Sequence, residues 1–125
     1  MNSANKSAGQ LGENIATYYL EKKGYKVLQK NYHSRFGEVD LVCQTPEGAW
    51  AFVEVKFRRS KKFGSPEDSV TTWKLKKIIK TAQLYLLKHT KALSIPSFQI
   101  DVVAIELDRV RKSYKIRHHQ NMSGS

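Results

Sequence analysis

This chain has almost no cysteine, no long apolar run and half as many acidic as basic side chains. Its single cysteine, Cys43, excludes an internal disulfide and a cysteine-rich zinc site. No hydrophobic stretch approaches the roughly 20 residues that a spanning helix requires, so a membrane role would have to rest on charge alone. The polar start from Met1 to Gln10 lacks the apolar stretch of a signal peptide, which predicts a cytoplasmic protein with no membrane partner. What the chain does have is basic charge. Against 11 Asp and Glu stand 22 Lys and Arg, a formal charge of +11 that favours a polyanionic partner such as nucleic acid.

At 125 residues the chain can bury one hydrophobic core. A single domain is expected over residues 1–119, with a disordered tail at 120–125. Ser7-Ala8-Gly9-Gln10 has the form of a capping box, after which Leu11, Ile15, Tyr18 and Tyr19 recur at helical spacing until Lys22-Lys23-Gly24. Three β-prone stretches follow, Tyr25 to Tyr32, Gly37 to Gln44 and Ala49 to Phe57, separated by short turns. Beyond a basic loop from Arg58 to Ser69, the residues Leu75, Ile78, Ile79, Ala82 and Leu86 mark a second amphipathic helix reaching about His89. Strands at Phe98 to Leu107 and Ser113 to Arg117 complete the order αβββαβ with one final strand. That order predicts an α/β domain with a mixed sheet flanked by helices.

Three carboxylates lie where burial would normally exclude them. Glu54 interrupts a strand of Phe and Val, Asp40 lies among Val39, Leu41 and Val42, and Glu13 is bordered by Gly9, Gly12, Ala16 and Leu20. A carboxylate cluster needs positive charge between its members, and magnesium, which takes one or two protein carboxylates and fills its octahedron with water and phosphate oxygens, suits an all-oxygen site. Lys56 leaves the strand on the same face as Glu54, in reach of a metal-held water or phosphate. Each residue alone has an ordinary alternative: a same-face ion pair for Glu54 and Lys56, a turn contact for Asp40, solvation for Glu13. Their joint order, an acid on the first helix, an acid on the second strand and E-x-K on the third, favours hydrolysis.

That order resembles the PD-(D/E)xK nuclease superfamily. The stretches G-E-N-I-A-T-Y-Y-L from Gly12, G-Y-K-V-L-Q-K-N-Y from Gly24, G-E-V-D-L-V from Gly37 and F-V-E-V-K-F-R from Phe52 resemble the YraN-like family of uncharacterised bacterial proteins within it. The likeness continues through G-S-P-E-D-S-V at Gly64 and F-Q-I-D-V-V at Phe98. It implies a restriction-endonuclease-like αβββαβ core, Asp40 and Glu54 as ligands of Mg²⁺ or Mn²⁺, Lys56 as the catalytic lysine, and Glu13 as the additional acid of Holliday-junction-resolvase-like members. Val39 stands where the superfamily motif has proline.

The basic residues Arg58, Arg59, Lys61 and Lys62 at the exit of the third strand, with Lys74 and Lys77 at the start of the second helix, are the expected nucleic-acid contacts. The expected activity is metal-dependent DNA cleavage on structured, branched or single-stranded substrates, with a homodimer suited to two-fold junctions. The alternative is a non-catalytic nucleic-acid-binding protein with a vestigial site. Glu38 is read as a surface acid, Gln83 as a core-edge residue, Asp101 as structural and His118-His119 as part of a basic tail. Trp50, Trp73, Tyr18, Tyr19 and Tyr32 are read as core aromatics rather than base-stacking platforms.

Overall fold

The computed structural model describes residues 3–59, 64–91 and 93–122, and of residues 3–8 the backbone alone. Its elements are α1 (Ser3–Lys22), β1 (Lys26–Ser34), β2 (Gly37–Gln44), β3 (Trp50–Arg58), α2 (Thr72–His89), β4 (Phe98–Asp108) and β5 (Ser113–His119). The five strands form one mixed sheet in sequence order. Neighbouring strands are antiparallel except β3 and β4, which run parallel and are joined through α2, the long connection a parallel pair demands. This is the expected α/β arrangement, with the restriction-endonuclease-like αβββαβ order. Among the described residues no helix is long and apolar enough to cross a membrane.

Strand alternation divides the core between the two sheet faces. Ala16 and Leu20 of α1 pack with Leu41, Val53, Val103 and Ile105 on one face. Ile78, Ala82 and Leu86 of α2 pack with Val39, Val42, Phe52 and Ile100 on the other. Gly12 brings α1 close to β3, because a Cβ there would stand 3.1 Å from the Phe57 Cβ. Thr71 caps α2, its hydroxyl accepting from the Lys74 N–H at 3.2 Å.

Several expectations need correction. Helix α1 begins at Ser3, ahead of the Ser7 capping-box pattern, since nothing from Ser3 to Gln10 interrupts a helix: Gly9 weakens it without ending it. The loop before α2 holds a short 3-10 helix, Pro66–Ser69, started by Ser65, whose N–H donates to the Asp68 carboxylate. His118 and His119 belong to β5 rather than to a basic tail, and they point to opposite faces. His118 meets the fully buried Asp101 at 2.9 Å, while His119 and Arg117 both meet Glu67 on the 3-10 helix. Asn121 and Met122, expected in the tail, donate backbone N–H groups to the Asp101 carboxylate and the Ile100 carbonyl; residues 123–125 lie outside the described residues.

Asp101 can be buried because four donors converge on it. Besides His118 and the Asn121 N–H, the Tyr25 hydroxyl and the Gln99 amide both donate at 2.9 Å. Burial opposes its ionisation, yet these bonds, His118 first, hold its carboxyl below the usual range. A depressed carboxyl stabilises the fold above its unfolded pKa of 3.8, and that contribution fades as pH falls through the folded value. Asp101→Ala is expected to cost about 3 kcal/mol in urea denaturation at pH 7, against about 1 kcal/mol for Tyr25→Phe. The Asp101→Ala deficit should shrink below about pH 4.

Candidate active site

The paired part of β2 and β3 runs from Gln44 opposite Trp50 to Leu41 opposite Val53. At the next step, where Asp40 and Glu54 stand, the ladder gives way to a side chain. Asp40 Oδ2 accepts the Val55 N–H at 2.7 Å, taking the place of a strand partner. On its other edge β3 stays paired with β4 through Arg58, so the strand remains fixed where β2 leaves it.

Glu54 is 5% exposed, on the same sheet face as Phe52 and α2. Its Oε1 lies 3.3 Å from the Lys56 ammonium and 3.0 Å from that of Lys74. The E-x-K spacing therefore forms an ion pair, and α2 adds a second lysine. Lys74, expected on the nucleic-acid face, instead turns toward the sheet, where its ammonium meets Glu54 of β3.

Glu13 on α1 accepts the Asn31 Nδ2–H at 3.0 Å. Asn31 lies in β1 opposite Asp40, with a left-handed φ of 55° that Asn tolerates better than most residues. A cleft of about 290 Å³ opens there, lined by Gly9, Gly12, Glu13, Asp40, Val55, Lys56 and Phe57. The absence of side chains at Gly9 and Gly12 leaves the cleft its room. Glu54 stands outside this lining and acts through Lys56 and through its charge on Asp40.

Burial, then the negative field of Glu54, with smaller contributions from Glu13 and Glu38, pushes the Asp40 carboxyl up to about 7 despite the Val55 N–H. Lys56 is lowered by burial and by the neighbouring Lys74, against the pull of Glu54. Burial also opposes the charge on Lys74, but sharing with Lys56 and the fields of Glu54 and Asp40 raise it overall.

Among the described residues no three His, Cys, Asp or Glu side chains form a group that could hold a metal, so the expected trio of Asp40, Glu54 and Glu13 does not make a ready cage. A magnesium-type site asks less, one or two carboxylates with water completing the shell. Asp40 fits that demand, because it is a carboxylate beside open space whose acidic neighbours include Glu54, Glu13 and Glu38.

The remaining expected residues are scattered. Arg58 is half-buried at the end of β3, and Arg59 lies 6.0 Å from the Phe57 ring centre. Lys61 and Lys62 lie outside the described residues. Lys77 lies over the Trp73 ring at 5.0 Å. Glu38 is exposed and pairs with His33 at 3.2 Å, while Gln83 is half-buried at the edge of the α2 core stripe. Tyr32 is buried, and Tyr19 and Trp50 pack against the core. Tyr18 and Trp73, at 63% and 69% exposed, are surface residues instead. Asn31 and the inward turn of Lys74 had no signal in the sequence, because each depends on which element crosses which.

The uncharacterised protein family UPF0102 matches residues 12–105, a span holding Glu13, Asp40, Glu54, Lys56 and Lys74. The chain belongs to that family. A UPF0102 protein of Syntrophomonas wolfei subsp. wolfei is 46% identical over 114 residues, covering 91% of this chain and 95% of its own length. UPF0102 proteins of Clostridium tetani and Alkaliphilus oremlandii are 42% and 38% identical over 117 residues, 94% of this chain in both cases and 93% and 97% of their own lengths. The YraN-like resemblance read from the motifs is thereby shown as UPF0102 membership.

The Asp40 shift carries a sign that can be checked. A carboxyl whose folded pKa is raised stabilises the fold most below its unfolded value of 3.8, and loses that contribution as pH rises through about 7. In chelating buffer, the stability of Asp40→Asn relative to wild type is expected to rise by about 2 kcal/mol between pH 4 and pH 8, after allowance for solvent screening. Thermal melts of both proteins across that range check it. A flat difference would mean that Asp40 is stably ionised throughout.

Proposed function

We propose that this UPF0102 member is a Mg²⁺- or Mn²⁺-dependent phosphodiesterase acting on DNA, with structured or branched DNA as its substrate. The observation that carries the reading is the parting of β2 and β3 at Asp40 and Glu54, beside a lysine held by Glu54 at the edge of the cleft. Asp40, with Glu13 or Glu54, would hold the metal, which when bound lowers the pKa of a water and neutralises charge on the phosphate. Lys56 borders the same cleft. Held as an ammonium by Glu54, it is suited to orient the attacking water and to offset negative charge on the phosphate. Glu54 fixes the Lys56 ammonium, and Lys74 adds a second cation to the buried Glu54 carboxylate. The +11 charge supports a phosphate backbone as the partner. Cleavage of a two-fold junction would call for a homodimer.

The non-catalytic alternative draws support from the two ammonium groups already on Glu54 Oε1, which compete with any cation there. Labelled single-stranded, duplex, flapped and four-way-junction DNA, incubated with Mg²⁺ or Mn²⁺, separates the two readings. Metal-dependent products on one substrate are expected, falling about 100-fold or more in Glu54→Gln and Lys56→Ala while DNA binding persists. Binding of every substrate with cleavage of none would make the site vestigial.

A further inference from the structure

On the far side of the first turn of α2 from Glu54 lies a second concavity of about 510 Å³, between that helix and the β1–β2 turn. Its walls carry Trp73 and Phe36 together with Arg35, Lys76, Lys77 and Lys80, and no acidic residue lines it among the described residues. The rings and cations are interleaved. Lys77 Nζ stands 5.0 Å from the Trp73 ring centre, and Lys80 Nζ and the Arg35 guanidinium stand 5.4 and 5.0 Å from that of Phe36.

The wall opposite α2 is braced. Ser34 Oγ meets Thr81 Oγ1 of α2 at 3.0 Å and accepts the Phe36 N–H at 3.1 Å, so the turn bearing Arg35 and Phe36 is tied to the helix. Gly37, with a φ of 144° that favours glycine, lets the chain resume as β2. Trp73 at 69% exposed contributes to neither core cluster, so its apolar ring is not accounted for by packing. Two rings in one groove, Trp73 beside the Lys77 ammonium and Phe36 beside the Lys80 ammonium and the Arg35 guanidinium, match a partner that alternates flat π faces with phosphates. Unpaired nucleotides have that pattern, and a base presents its face only when it is out of the duplex stack. Trp73 immediately precedes Lys74, whose ammonium is 3.0 Å from Glu54, so the groove and the candidate site share the first turn of α2.

We infer that this groove binds a single-stranded DNA segment, its bases stacked on Trp73 and Phe36 and its phosphates on Arg35, Lys76, Lys77 and Lys80. The inference deepens the proposed nuclease function and rests on it for the choice of DNA: the site receives the unpaired arm of a branched or flapped substrate.

Fluorescence anisotropy with labelled oligo-dT, a blunt duplex and oligo-U RNA, in chelating buffer with the full chain, tests it without requiring cleavage. Trp73→Ala is expected to weaken oligo-dT binding roughly tenfold, leave duplex affinity within about twofold, and keep the salt dependence. Trp73→Phe should recover most of the loss. Lys76→Ala and Lys80→Ala should instead flatten the salt dependence by about one counterion each. Wild-type oligo-dT affinity in both Trp73→Ala and Phe36→Ala would overturn the inference, as would equal losses on single strand and duplex. Preference for oligo-U over oligo-dT would overturn the assignment to DNA. Stacking lost in Trp73→Ala without cleavage by wild type would sink the nuclease reading alone, whereas cleavage with no effect at Trp73 or Phe36 would sink the groove alone.

Discussion

The buried carboxylate of Glu54 is the constraint on which the rest of the site depends. An ionised acid at that depth is costly unless it is paired, and removing one partner of such a pair costs more than the pair contributes. Lys56 and Lys74 share its Oε1, and they come from different elements. Compensating one charge therefore ties the first turn of α2 to the middle of β3. That tie places one end of α2 at the candidate site and, by the geometry of a single helical turn, sends Trp73 to the surface beside it.

The same logic recurs at two other places on the sheet, where it holds structure rather than chemistry. Asp101 is satisfied on the α1 side by Tyr25, Gln99, His118 and the Asn121 N–H. On the α2 side Arg117 bridges Glu67 and Glu106, with His119 also on Glu67, fastening the 3-10 helix to β4 and β5. Arg117 comes first among the causes that hold the Glu67 carboxyl down to about 2, as expected of an acid paired with a guanidinium. Asp40 is the contrast: it accepts the Val55 N–H, its charged neighbours include three acids, and it borders open space. A structural acid is surrounded by donors, whereas Asp40 stands in surplus negative charge, the condition under which a cation or proton is drawn in.

Legibility differed by residue. The Glu54-x-Lys56 pair was readable because strand alternation alone puts both on one face. Asp40 was readable as an acid in an apolar strand, and Glu13 as an acid among small residues on a helix. The fold order followed from periodicity and turn residues, with the limits of α2 close to those of the structure. Less legible were His118 and His119, since adjacency to the chain end suggested a tail while the outcome depended on Asp101 and Glu67 waiting on other elements. Trp73 was misread for a related reason: helical spacing tells which residues share a stripe, but the width of the buried stripe is set by what the helix lies against.

The sequence by itself determined the class of the fold, the family, the basic charge and the identity of the acids and lysine, because these rest on composition, periodicity and order along the chain. Tertiary structure alone decided that Lys74 turns inward, that Asn31 holds Glu13, that the β2–β3 ladder yields at Asp40 and that Trp73 and Phe36 face one groove. Each of these is a contact between segments distant in sequence, set by the packing of helices across a twisted sheet, and no local pattern encodes such a distance.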